Sequence, residues 1–204
     1  ENIFTVSKAE ISLVVALIIF ALIWWKILQK ENAGFSWWVA YVIAVFLCAL
    51  SKETWFVIVI PLGVLVLYTR IFSSKLFGIT VKMLLGFGLV YILIKIYDYY
   101  YLIPNPYMEE YKITITSVIS SFVQYACGQP DIFVLGAITL TCCLWIVYKN
   151  RDIKAGFLLA MNLGGWAYIC GLCFWRMCVS YYMYPAIAFF TISFPAVLML
   201  PLSK

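Results

Sequence analysis

Long apolar runs broken by short polar clusters set the rhythm of this chain. Ile11–Trp25 and Ile132–Tyr148 are apolar all round, with neither strand-like alternation nor a polar helical face. Such runs approach or exceed the ~18–20 apolar residues that carry a helix across ~30 Å of hydrocarbon. A transmembrane β-barrel would instead show segments of ~10 residues alternating apolar and polar. The pattern predicts an all-α, polytopic transmembrane bundle of about seven spans in one domain, 1–204. The expected spans are Ser12–Leu28, Trp37–Leu50, Trp55–Tyr68 with Pro61 inside, and Ile79–Tyr97. After them come Ile132–Tyr148, Ala155–Phe174 and Tyr182–Leu200. Between the fourth and fifth lies one long polar loop, Asp98–Asp131, which turns at Pro104-Asn105-Pro106. Within it, Val118, Ile119, Phe122 and Val123 recur at helical spacing against Thr116, Ser117, Ser120 and Ser121. That segment, Ile115–Tyr125, reads as an amphipathic helix lying in the membrane interface.

Composition removes the soluble alternative. Charged residues make up 11% of the chain and hydrophobic ones 66%, with a mean hydropathy of +1.01. A soluble domain carries roughly 25% charged residues, so lipid must solvate most of this surface. Histidine is absent, which removes the commonest metal ligand and neutral-pH base. The sequence therefore gives no support to a divalent metal site. Seven cysteines do not imply a disulfide scaffold, because Cys48, Cys142, Cys143 and Cys170 read as buried within spans. Cys127 and Cys178 fall on one side of the membrane, where an oxidising compartment would allow a disulfide. The chain begins at Glu1 without a signal peptide and is read as either a processed chain or one section of a longer protein.

The net charge of +5 is scattered over span ends and forms no nucleic-acid patch. It does set an orientation. Alternate connections hold Lys26 and Lys30; Arg70, Lys75 and Lys82; Lys149, Arg151 and Lys154; and Lys204. The opposite connections hold only Lys8, Lys52, Lys112 and Arg176. The first set is expected to be cytoplasmic, with the N-terminus and the long loop outside or lumenal. A bacterial plasma membrane and an endoplasmic reticulum membrane fit equally.

Two outer clusters are not needed for topology. Ser51-Lys52-Glu53 joins spans two and three between long apolar stretches, where charges are costly and are commonly paired or functional. A snorkelling lysine beside a carboxylate in a tight turn explains it as well. Arg176 precedes Tyr181, Tyr182 and Tyr184, and its planar guanidinium can grip a phosphate bidentately. An interfacial anchor among aromatics is the bland alternative.

Leu50-Ser51-Lys52-Glu53-Thr54, followed by apolar residues and Pro61-Leu62, resembles a recurring segment of the GT-C glycosyltransferases. Arg176 with Tyr181-Tyr182-Met183-Tyr184-Pro185-Ala186 is similar to their late "R…Y-x-x-P-A" segment. An outer loop ending in an interfacial helix lies between the two, as Asp98–Asp131 would supply. The resemblance spans Ala40–Leu200 in organisation and rests on short motifs. It implies transfer of a sugar from a polyprenyl-phosphate donor to an acceptor on the extracytoplasmic or lumenal side. Arg176 and Tyr182 would then bind substrate, with Arg176 on the lipid phosphate, and Lys52 would assist or pair with Glu53. A fixed cation there stabilises the charge that develops on the leaving phosphate.

The family's catalytic acid lies in the first outer loop, and nothing here fits that place. Glu1 and Glu10 precede span one, and Glu109-Glu110 lies in the later loop. The catalytic residue is therefore expected outside this section. The residues leave open another polyprenyl-linked enzyme or flippase, such as an O-antigen polymerase-like protein. They also leave open a transporter or a non-catalytic subunit with other membrane subunits as partners. Expected partners are otherwise membrane lipids and the lipid-linked sugar donor, with no nucleic acid. Among weaker signals, Asn162 is expected to bond a neighbouring helix and Lys95 to snorkel outward. Gly86-x-Gly88 and Gly164-Gly165 would let helices approach closely, and Cys170-x-x-Cys173 reads as core filler.

Overall fold

The structure, a computed structural model, describes residues 2–30, 33–51, 53–101, 114–174 and 183–199, with the side chains at 2–10, 53–55, 74, 75, 98 and 101 left aside. Every regular element among them is helical: α1 (Asn2–Gln29), α2 (Phe35–Ser51), a 3-10 segment (Glu53–Ile58), α3 (Val59–Phe72) and α4 (Ser74–Tyr101). The order continues with α5 (Ile115–Gly128), α6 (Pro130–Asn150), α7 (Ile153–Phe174), α8 (Tyr184–Ser193) and α9 (Pro195–Met199). Four stretches are long and apolar enough to cross a membrane: Ile11–Gln29, Leu76–Tyr97, Pro130–Asn150 and Ile153–Phe174. The chain is thus an all-helical bundle of integral-membrane character. Three further apolar helical stretches are shorter: Phe35–Ser51, Phe56–Phe72 and Tyr184–Met199.

Three departures from the expected spans have local causes. The third opens as a 3-10 turn, and Pro61 then falls in the first turn of α3. There its missing N–H costs nothing, because helix starts leave those donors unpaired. The last expected span is not one helix. Pro195 has no N–H to give the Thr191 carbonyl, so Phe194 N–H donates to it at 3.2 Å and a turn at Phe194 separates α8 from α9. The polar stretch expected from Asp98 remains helical through Tyr101, its exposed tyrosines carrying α4 beyond its apolar window.

Helix α7 is the centre. Of its membrane-length window 61% is buried, against 22% for that of α4. Helices α3, α5, α6 and α8 all pack on α7, while α1 joins α2 to α8. Small residues admit aromatic rings at these crossings. A β-carbon at Gly165 would lie 2.5 Å from the Phe190 ring, and one at Gly136 would lie 2.7 Å from it. Gly164 is met by Phe189 and Pro61, and Gly86 by Tyr41, whereas Gly88 faces open space. Gly88 therefore brings no helix close.

Polar side chains tie the same helices. Asn162 on α7 donates to Thr139 Oγ1 on α6 at 2.7 Å and to Ser193 Oγ on α8 at 3.2 Å. All three residues are fully buried, so water does not compete for these bonds. Tyr41 O–H donates to the Met83 carbonyl at 2.8 Å and fastens α2 to α4. Tyr68 O–H donates to the Asp152 carbonyl at 2.8 Å and fastens α3 to the start of α7. Asp152 also caps α7, its Oδ1 accepting from Ala155 N–H at 2.7 Å. It follows Arg151, whose left-handed φ of 47° ends α6.

Candidate functional site

Two contacts fix which helix ends lie together. The Tyr68–Asp152 bond joins the end of α3 to the start of α7, and the Trp25 and Phe157 rings, 5.2 Å apart, add the end of α1. Lys26 in the last turn of α1, Arg70 in that of α3 and Lys149 in that of α6 therefore share one end with Arg151 and Lys154. We call this the basic end.

The opposite end holds a second core cluster. Val57 from the 3-10 segment, Tyr125 from α5, Leu172 and Cys173 from α7, and Met183 and Ala186 at the start of α8 belong to it. Phe56 packs against the cluster from the side. These residues flank both charged motifs in sequence. Ser51-Lys52-Glu53 precedes Phe56 by a few residues, and the connection containing Arg176 runs between Phe174 and Met183. Lys52, Arg176 and Tyr182 themselves lie outside the described residues, and Glu53 is described only in its backbone, as the first residue of the 3-10 segment. Cys178, Glu109 and Glu110 also lie outside them, so the possible Cys127–Cys178 pairing falls there too.

Helix α5 closes this end. Thr114 caps it in reciprocal bonds with Ser117: Ser117 N–H donates to Thr114 Oγ1 at 3.2 Å, and Thr114 N–H donates to Ser117 Oγ at 3.1 Å. Its inward face is Ser121 and Tyr125, both buried. Ile115, Ile119 and Val123 are turned outward and more than half exposed. A run of rings holds the helix down. Phe122 meets Phe133 of α6 at 5.2 Å, Phe133 meets Trp166 of α7 at 5.6 Å, and Trp166 meets Phe190 of α8 at 5.5 Å. Sequence reasoning missed this run, because four aromatics on four helices share no spacing.

Of the weaker candidates, Lys95 sits on the exposed face of α4, 5.9 Å above the Tyr91 ring and beside Tyr99 and Tyr100. Cys173 is buried in the cluster and Cys170, one turn away, is exposed. Among the described residues no three metal-ligating side chains converge. The described chemistry of this end is thus an apolar, aromatic-braced cluster whose residues adjoin both charged motifs in sequence. No protein-family model, curated protein or solved structure matches the chain.

Proposed function

We propose that this chain is a membrane glycosyltransferase-like protein that moves a sugar from a polyprenyl-phosphate donor to an acceptor on the extracytoplasmic or lumenal side. The observation that carries the reading is the shared cluster of Phe56, Val57, Leu172 and Met183, the described neighbours of both charged motifs, beside α5. A polyprenyl phosphate needs an apolar wall for its chain and a cation at the bilayer surface for its phosphate. In this reading Arg176 holds the phosphate, Lys52 pairs with Glu53 or assists, and Tyr182 binds substrate.

The same reading takes the three shorter apolar helices as spans, for about seven in all, and lays α5 in the interface with Ile115, Ile119 and Val123 in lipid. The basic end then faces the cytoplasm and the N-terminus the outside, since positive residues accumulate on the cytoplasmic side.

The test uses the full-length natural protein in membranes supplied with polyprenyl-phosphate-linked sugars. Arg176→Ala should lower transfer by about two orders of magnitude, the loss typical of removing one group that stabilises developing charge. Arg176→Lys should recover part of it, because a point charge replaces a bidentate one. Transfer unaffected by both substitutions, in protein that is folded and inserted, would sink the proposal and favour a non-catalytic subunit.

A further inference from the structure

At the basic end, away from the proposed transfer site, a groove of about 400 Å³ lies between α1, α7 and the junction of α8 and α9. Its α1 wall is Ile18, Ala21, Leu22 and Trp25, a single helical face. Phe157 and Leu158 form the α7 wall, and Ile192, Pro195 and Met199 the third. The turn at Phe194 separates α8 from α9 along that wall. Within this apolar lining Lys154 is the sole charged residue. It lies in the first turn of α7, near the Trp25 end of the groove, and its side chain is exposed. Asp152, its near neighbour in sequence, is committed through Oδ1 to capping α7. Lys26 and Arg151 add positive charge at the same end.

Volume and lining fit a hydrocarbon segment, and the charge at one end fits only an anionic head. Apart from Lys154, the Thr191 hydroxyl and the Trp25 indole are the polar groups among the lining residues, too few to hold a free polar metabolite. A neutral peptide helix would leave Lys154 without a counter-charge. We propose that this groove is a binding site for one anionic phospholipid of the leaflet at the basic end, its acyl chain between α1 and α7 and its phosphate on Lys154. The amphipathic Trp25 ring stands where the chain meets the headgroup, the depth such rings prefer. This inference does not depend on the glycosyltransferase reading.

Native mass spectrometry of the full chain tests it, with the protein released from nanodiscs of equal dioleoyl-phosphatidylglycerol and dioleoyl-phosphatidylcholine. The unaltered protein should retain one phosphatidylglycerol in preference to phosphatidylcholine. Lys154→Gln, a change at an exposed position, should reduce that preference about five-fold, the factor equivalent to about 1 kcal/mol for one membrane-proximal lysine. Ile18→Trp, at a residue 42% exposed, fills the groove and should abolish retention of either lipid without lowering thermal stability. Three results would overturn the site. They are an unchanged preference in Lys154→Gln, lipid retained by Ile18→Trp, or a lipid-free dimer that Ile18→Trp dissociates.

Discussion

Asn162 offers the sharpest test of the packing. Both amide N–H bonds leave α7, one for Thr139 on α6 at 2.7 Å and one for Ser193 on α8 at 3.2 Å, with a longer approach of 3.4 Å to the Gly136 carbonyl. The two hydroxyls keep acceptors of their own: Thr139 donates to the Leu135 carbonyl at 2.7 Å and Ser193 to the Phe190 carbonyl at 2.8 Å. Truncating Asn162 therefore orphans no donor, and the loss is limited to the interhelical bonds. Such bonds average about 0.6 kcal/mol in membrane proteins and reach about 1.7. The shorter pair should lie near 1 kcal/mol and the longer near 0.5, so Asn162→Ala should cost about 1–2 kcal/mol. Asn162 Oδ1, buried without a hydrogen-bond partner among the described residues, holds the total toward the lower figure. Double-mutant cycles with Thr139→Ala and Ser193→Ala, read by reversible unfolding in mixed micelles, isolate each term. Coupling indistinguishable from zero for both pairs would refute the three-helix tie. Stronger coupling to Ser193 than to Thr139 would refute its geometry.

Two further substitutions probe the same core. Gly165→Ala drives a methyl into the Phe190 ring and should cost about 1–3 kcal/mol, whereas Gly88→Ala meets open space and should be neutral or slightly stabilising; thermal unfolding of the pair separates them. Asp152→Ala removes the side-chain cap of α7 and should cost about 1 kcal/mol, seen as faster amide exchange over the first turn from Ile153.

Much of the architecture was legible because in lipid the apolar run itself is the element. Ile132–Tyr148 and Ala155–Phe174 emerge as α6 and α7 with ends shifted by a few residues, since bilayer thickness and the Lys149–Asp152 turn leave little choice. The interhelical role of Asn162 was equally readable, because an amide in hydrocarbon must find partners. The break before Pro195 was harder to read, as it falls inside one long, mostly apolar run in which periodicity gives no signal. Hydropathy also could not rank the helices. Helices α4 and α7 read alike in sequence, yet one lies at the rim and the other at the centre. What separates them is how small residues are used: Gly156, Gly164 and Gly165 of α7 each receive a ring at close range, whereas on α4 only Gly86 meets one, at 3.4 Å, and Gly78 and Gly88 face open space. A glycine in a span reports only permission for close approach. Whether a ring on another helix uses it is a long-range property.

The central position of α7 bears on both proposals. Its N-terminal half carries Lys154, Phe157 and Leu158 into the groove at the basic end, and its C-terminal half carries Leu172 and Cys173 into the cluster at the opposite end. Helix α8 does the same in reverse, from Met183 and Ala186 at one end to Ile192 beside the groove. Between the ends the two helices are locked by Phe190 against Gly165 and by Asn162 with Ser193. A lipid that wedges α1 from α7 thus presses on the same helix pair that frames the opposite end. Packed cores of this kind move as units and do not bend continuously. Loss of the groove lipid should therefore alter transfer only through a shift of α7 and α8 together. Under this coupling, weakening the lock with Ser193→Ala should uncouple transfer from phosphatidylglycerol content, whereas Lys154→Gln should merely raise the content required.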